Sequence, residues 1–203
     1  EKSVYDRAHL AAFMSNVELF DNRSFAIAQA ESVAMDPQQR LLLEHGYTSI
    51  HGAGLGRQQL MGSSTGVFLG ITTTEWTAVP KPESVYGIGG VGHCFAAGRL
   101  SYTLGLQGAC LAFDTACSSS LAACHAALRN LQSQEGEDAL LCGITVMLIP
   151  AISLLYAVGR ITSTLGRSCT WDTRADGFGR GELCAAGLMR LATEKHSSLT
   201  SVI

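Results

Sequence analysis

Short apolar runs alternate with helix-patterned stretches along most of the chain. The first firm element is a helix over residues 36–45. Asp36 can N-cap it, Pro37 suits the first helical position, and Gln39 completes a capping box. Leu41, Leu42 and Leu43 supply its apolar face, Gly46 weakens it, and Gly52 and Gly54 end it. The run Gly66–Ile71 reads as a buried strand. A Gly-rich loop over 87–92 leads into a helix over 94–102, and Ala109–Phe113 reads as a second buried strand. Ser118–Leu131 is predicted as a helix, with Leu121, Cys124, Leu128 and Leu131 at helical spacing. A third strand covers Asp138–Val146, and Pro150 opens a helix to Val158. Residues 162–181 are rich in Gly, Ser, Thr, Arg and Asp and read as an irregular surface loop, and Ala185–Leu191 as a last strand. This order predicts an α/β fold with a largely parallel sheet covered by helices.

The 203 residues suffice for one domain, or most of one. Hydrophobic residues make up 47% and charged residues 15%, which excludes a disordered tail. A net charge of −3 without a basic stripe gives no support for nucleic-acid binding. No apolar run approaches the roughly 20 residues of a membrane span. The charged opening, with Lys2, Asp6 and Arg7, does not have the form of a signal peptide. Both ends are abrupt, so the chain is expected to be a piece of something longer. The seven cysteines are odd in number and contain no CxxC pair, which argues against zinc and against a disulfide framework. Most are expected to be buried small hydrophobes in a reducing compartment, and a cytoplasmic location follows as an expectation.

The stretch from Leu111 to Ala127 carries the chemistry. A strand runs into Asp114-Thr115-Ala116, turns at Cys117 and enters a helix rich in small residues. That turn places a thiol at a helix N-terminus, where unpaired N–H groups and the macrodipole favour negative charge. Such a thiol ionises more readily, and the same N–H groups can stabilise an oxyanion on an attacked thioester. Small neighbours such as Ala116 and Ser118 leave room for an extended acyl chain. The pattern alone equally fits a buried structural cysteine before a packed helix.

Five motifs make the reading specific. DTACSSSL at Asp114–Leu121 resembles the active-site motif of polyketide synthase ketosynthases. The segment from Phe20-Asp21 to MDPQQRLLLE at Met35–Glu44 resembles the early part of that family. GVFLG at Gly66–Gly70 is similar to its first core strand, and AGRLSY at Ala97–Tyr102 to a following helix. Asp172 with ADGFGRGE at Ala175–Glu182 resembles a later loop. The chain is thereby identified as a β-ketoacyl synthase domain of the modular type I kind, with residues 1–203 its N-terminal, nucleophile-bearing part. The resemblance implies a thiolase-like fold, a homodimer and a decarboxylative condensation through an acyl-Cys117 intermediate. It implies no tightly bound cofactor and no metal; substrates are carried on the phosphopantetheine of an acyl carrier protein. Further partners implied are the remaining ketosynthase half and other polyketide synthase domains.

The family's two catalytic histidines lie in motifs after the last matched loop, and neither motif is found in this sequence. His51 faintly echoes one and reads as a surface-loop residue. His93 echoes the other and is expected to be structural or solvent-facing. His125 follows Cys117 by eight residues on one helix, which turns it away from the sulfur, and is expected to be packed or hydrogen-bonded. Arg99 is expected to pair with an acid near the elbow or the dimer seam. Asp172, Asp176 and Glu182 are expected to shape the long loop, and Asp114 to brace the turn. The chain departs from the family at Gly108-Ala109-Cys110, at His45–Ile50 and at Leu183, which bears on local packing and substrate fit. The competing reading is a non-catalytic ketosynthase-like relative or remnant that binds carrier protein or a partner subunit; other thiolase-fold thioester enzymes fit the motifs less well.

Overall fold

A computed structural model describes residues 2–81 and 83–192. In chain order the elements are α1 (Lys2–Ala8), β1 (Ala11–Ala12), α2 (Gln29–Ala34), α3 (Pro37–Gly52), α4 (Arg57–Leu60) and β2 (Gly66–Ile71). A 3-10 turn (Glu75–Ala78) precedes α5 (His93–Leu104), β3 (Cys110–Phe113), α6 (Ser119–Gln132), β4 (Asp138–Thr145) and α7 (Pro150–Val158). The last strands are β5 (Arg180–Gly181) and β6 (Leu183–Arg190).

The main sheet has the order β3-β2-β4-β6. β2 runs parallel to both β3 and β4, whereas β6 is antiparallel to β4. The sheet is therefore mixed, with a parallel centre. Successive strand side chains point to opposite faces, and the faces receive different helices. On one face Val67, Leu69, Leu140 and Cys142 pack with Met35, Leu42 and Leu43 and with Leu100 and Leu104 from α5. On the other, Phe68 and Ala139 pack with Ala123, Ala127 and Leu131 of α6.

The start of α3 follows its sequence signal: the Asp36 carboxylate accepts from the Gln38 amide at 2.8 Å and Pro37 opens the helix. The helix ends at Gly52, one of the two glycines expected to end it. It runs past residue 45 and through Gly46 without a break, and that glycine lets α5 come close, since a Cβ there would lie 3.0 Å from Leu100. Close packing against α5 outweighs the weak propensity of a glycine. The capping box does not form, because Gln39 faces the interior. Its amide donates to the Gly89 carbonyl at 3.2 Å and accepts from Arg99 Nε at 3.0 Å.

The face of α6 also differs from the expected one. Leu131 is buried and Cys124 half-buried, but Leu121 is 73% and Leu128 39% exposed. The buried stripe is Ala123, Ala127 and Leu131. A helix lying close on a sheet needs small residues at the contact, so the alanines, and not the two leucines, face inward. The segment 162–181 is largely irregular, but Thr162 and Ser163 within it are buried. Arg7 of α1 donates to the Thr162 and Asp176 carbonyls and anchors it.

Candidate active site

β3 delivers the chain to the carboxyl end of the parallel strands, where open α/β sheets place their ligands. The five residues from Asp114 to Ser118 then turn it back into α6, and all five are exposed. Ala116 adopts φ +55°, a left-handed conformation that costs an L-residue about 1 kcal/mol. Side-chain hydrogen bonds hold it there. The Asp114 carboxylate accepts from the Ala116 amide at 3.2 Å, which is the bracing role expected of it. The buried Ser119 hydroxyl accepts from the Thr115 amide at 3.0 Å and donates to the Ala116 carbonyl at 2.6 Å. The Ser118 hydroxyl donates to the Thr115 carbonyl at 2.8 Å. Cys117 is thus clasped between two anchored neighbours. Its thiol is exposed, directly before the N-cap of α6.

The cysteines divide by environment. Cys142 and Cys184 are buried, and burial pushes the Cys142 thiol up and the Cys184 thiol to about 12. They are inert core residues. Cys94, Cys110 and Cys117 are exposed, and Cys124 and Cys169 are half-buried, so the expectation that most are buried does not hold.

Of the histidines singled out, His93 comes to the elbow. From the first residue of α5, its Nδ1 lies 4.0 Å from Asp114 Oδ2. The contact reaches the brace and not the sulfur, and it spans residues that no local pattern connects. His51 is exposed at the end of α3, its ring 6.1 Å from that of Tyr47. His125 is exposed on α6, not packed as expected, because it lies on the side turned away from the sheet. Arg99 pairs with Glu31 of α2 and with Gln39 and the Gly89 carbonyl, and not with an elbow acid. This hub ties α2, α3 and α5 together.

The acids of the late loop are structural partners. Asp172 binds Arg174, and Asp176 takes the Thr164 amide and hydroxyl at 3.0 and 2.7 Å. Glu182 accepts from the amides of Met14 and Met147, both at 2.8 Å. Sequence reasoning missed Glu75, whose buried carboxylate accepts from the amides of Leu148 and Ile149 and so holds the approach to α7. Among the described residues no group of three or more His, Cys, Asp or Glu side chains is arranged to hold a metal ion. No helix among them is long and apolar enough to cross a membrane. A cleft of about 620 Å³, lined by Val33, Lys81 and Glu83 among others, includes none of the elbow residues.

Fold and site define an α/β protein that presents a cysteine on a strand-to-helix elbow beyond the ends of parallel strands. The family model described as Beta-ketoacyl synthase, N-terminal domain, matches residues 2–195, and the chain belongs to that family. It is 40% identical over 182 residues to the phthioceranic/hydroxyphthioceranic acid synthase of Mycobacterium tuberculosis, covering 88% of this chain and 9% of that one. It is 43% identical over 178 residues to a mycocerosic acid synthase-like polyketide synthase of the same species, covering 85% and 8%. The ketosynthase from module 6 of the bacillaene synthase of Bacillus subtilis superposes with a TM-score of 0.79 at 32% identity, covering 87% of this chain and 30% of that one. The α/β, thiolase-like fold and the polyketide synthase ketosynthase kinship implied by the five motifs are thereby established. The chain spans about a tenth of the length of the curated relatives it matches and under a third of the solved ketosynthase.

Proposed function

We propose that this chain is the nucleophile-bearing portion of a ketosynthase and that Cys117 is its acyl acceptor. The observation that carries the reading is the exposed thiol on a turn held by Ser119 and Asp114, at the head of α6. In the first step the Cys117 sulfur attacks the carbonyl of an acyl thioester on an acyl carrier protein. The oxyanion collapses and expels the phosphopantetheine thiol, leaving acyl-Cys117. In the second, a malonyl-type extender loses carbon dioxide, and its carbanion attacks the acyl-Cys117 carbonyl and returns the thiolate. Covalent catalysis divides one carbon–carbon bond formation into two easier steps.

On this reading a companion ketosynthase portion supplies the two histidines that assist decarboxylation and stabilise oxyanions. The outward apolar residues Leu121 and Leu128 of α6 support such a covering layer. The homodimer is supported by β3, an edge strand with exposed Cys110 and Leu111, since an unpaired apolar edge is a template for another strand. Substrates arrive covalently on the carrier, so no tightly held cofactor is needed, and the cytoplasm is the compartment proposed.

Intact mass after exposure to an acyl thioester tests the proposal, with Cys117→Ala in parallel. A mass gain lost in the variant is expected. No gain in folded chain that is supplied with its companion portion would overturn it.

A further inference from the structure

β2 and β4 lie side by side, and Gly70 is the register partner of Gly143. A Cβ on Gly70 would fall 2.5 Å from the Ser120 nitrogen and Cα and 2.7 Å from the Ser119 carbonyl carbon. A Cβ on Gly143 would fall 2.5 Å from Ser120 Oγ but 3.4 Å from Ser120 Cβ. Neither glycine has a positive φ, so space and not backbone conformation requires the glycine at Gly70, whereas at Gly143 only a rotatable hydroxyl comes close. Two glycines side by side in buried strands weaken a sheet, so the fold alone does not favour them. Further along the same interface Phe68 and Leu131 fill the gap between sheet and helix. Helix α6 therefore rests on bare strand backbone at its N-terminal end, where the nucleophile sits.

We propose that Gly70 is a positioning residue for Cys117: its missing side chain sets the height of the first turn of α6 above the sheet. The coupling is short. Ser120, which meets both glycines, is bonded to Ser119, and the Ser119 hydroxyl holds the Thr115 amide and the Ala116 carbonyl. Cys117 lies inside that clasp. Relieving an approach of 2.5 Å to backbone needs a shift of roughly 0.5–1 Å in a close-packed interior. A misplacement of about 1 Å costs a reacting group on the order of a hundredfold in rate.

The two glycines make different predictions, because Gly143 faces the end of a side chain and Gly70 faces backbone. Gly143→Ala meets only the hydroxyl of the exposed Ser120, which can rotate away. Ser120→Ala does nothing for Gly70→Ala.

The test labels the chain with iodoacetamide and follows each cysteine by peptide mass spectrometry. Exposed Cys94 controls for general reactivity, and buried Cys142 and Cys184 report unfolding. In folded G70A, Cys117 labelling is expected to slow ~tenfold, with Cys94 unchanged. G143A should label within about twofold of the wild-type rate, while G70A/S120A stays as slow as G70A. Folded G70A labelled at the wild-type rate, or slow labelling in G70A that S120A restores, would overturn the proposal. If G70A labels at Cys142 and Cys184 it has unfolded, and G143V decides instead: its added methyls extend past the hydroxyl toward the Ser120 Cβ, and wild-type labelling of Cys117 in folded G143V would overturn the proposal. The proposal rests on Cys117 as the nucleophile. Wild-type chain that is alkylated but never acylated at Cys117 would defeat that reading while leaving the positioning result intact.

Discussion

The Ser119 hydroxyl donates to the Ala116 carbonyl across 2.6 Å and so closes the turn in which Cys117 is held. The same oxygen accepts from the Thr115 amide. One buried hydroxyl therefore stabilises a left-handed alanine and the strand end before it. Ser119→Ala removes both bonds and leaves two polar backbone groups without that partner. A loss of about 1–3 kcal/mol is expected in denaturant unfolding. Cys117 labelling should slow even under conditions where the variant is fully folded. Wild-type stability would show that solvent or neighbouring groups replace the hydroxyl.

Arg99 stands at the junction of α2, α3 and α5, bound to Glu31, Gln39 and the Gly89 carbonyl. Arg99→Met keeps much of the volume and strands the Glu31 and Gln39 acceptors, the second of them buried, while the Gly89 carbonyl keeps the Gln39 amide. A destabilisation of about 2–3 kcal/mol follows, smaller than for a fully buried pair because Glu31 reaches solvent. Glu31→Gln, which keeps an acceptor oxygen, should cost about half as much. Thermal unfolding of the two variants checks the order.

The nucleophile is legible in the sequence because the elbow is contiguous: strand, turn, cysteine and small-residue helix occupy one uninterrupted stretch. The parallel centre of the sheet is legible for the same reason, since β2, β3 and β4 are short continuous apolar runs. What escapes is non-local. α6 carries apolar residues on two sides, and only the sheet determines that Ala123 and Ala127 face inward while Leu121 and Leu128 face out. Gln39 has the spacing of a capping residue, yet Arg99, sixty positions away, claims its side chain. His93 meets Asp114 across twenty-one residues. Gly70 and Gly143 look like ordinary strand glycines until the helix above them is in view.

Leu121 and Leu128 project from α6 on the side opposite the sheet, beside the exposed His125. An apolar helix face of this kind drives self-association. The isolated chain is expected to aggregate at concentrations where the variant with Leu121→Lys and Leu128→Lys stays dispersed. Both substitutions fall on exposed positions, so unfolding free energy should move by no more than about 0.5 kcal/mol for each. Light scattering read together with denaturant unfolding separates the two effects. A well-dispersed wild-type monomer with a cooperative transition would refute the expectation.

Acid should loosen the loop over residues 162–181 through Asp176. The Ser163 and Thr164 hydroxyls, the Thr164 amide and Arg7 hold its carboxyl well below the ordinary value of 3.8. A carboxyl whose folded pKa is depressed stabilises the fold above the unfolded value. That contribution is lost as pH falls through the unfolded value toward the folded one. The effect is therefore complete at neutral pH and fades below about pH 4. Asp176→Asn should lower stability at pH 7 and flatten its decline in acid, so that the two proteins converge at low pH. Asp21 and Asp172 titrate in the same sense, held down by Ser24 and Arg174 respectively, and they leave a residual slope in the variant. Unfolding midpoints measured from pH 7 down to pH 2.5 test the convergence, and parallel curves for the two proteins would remove Asp176 from the account.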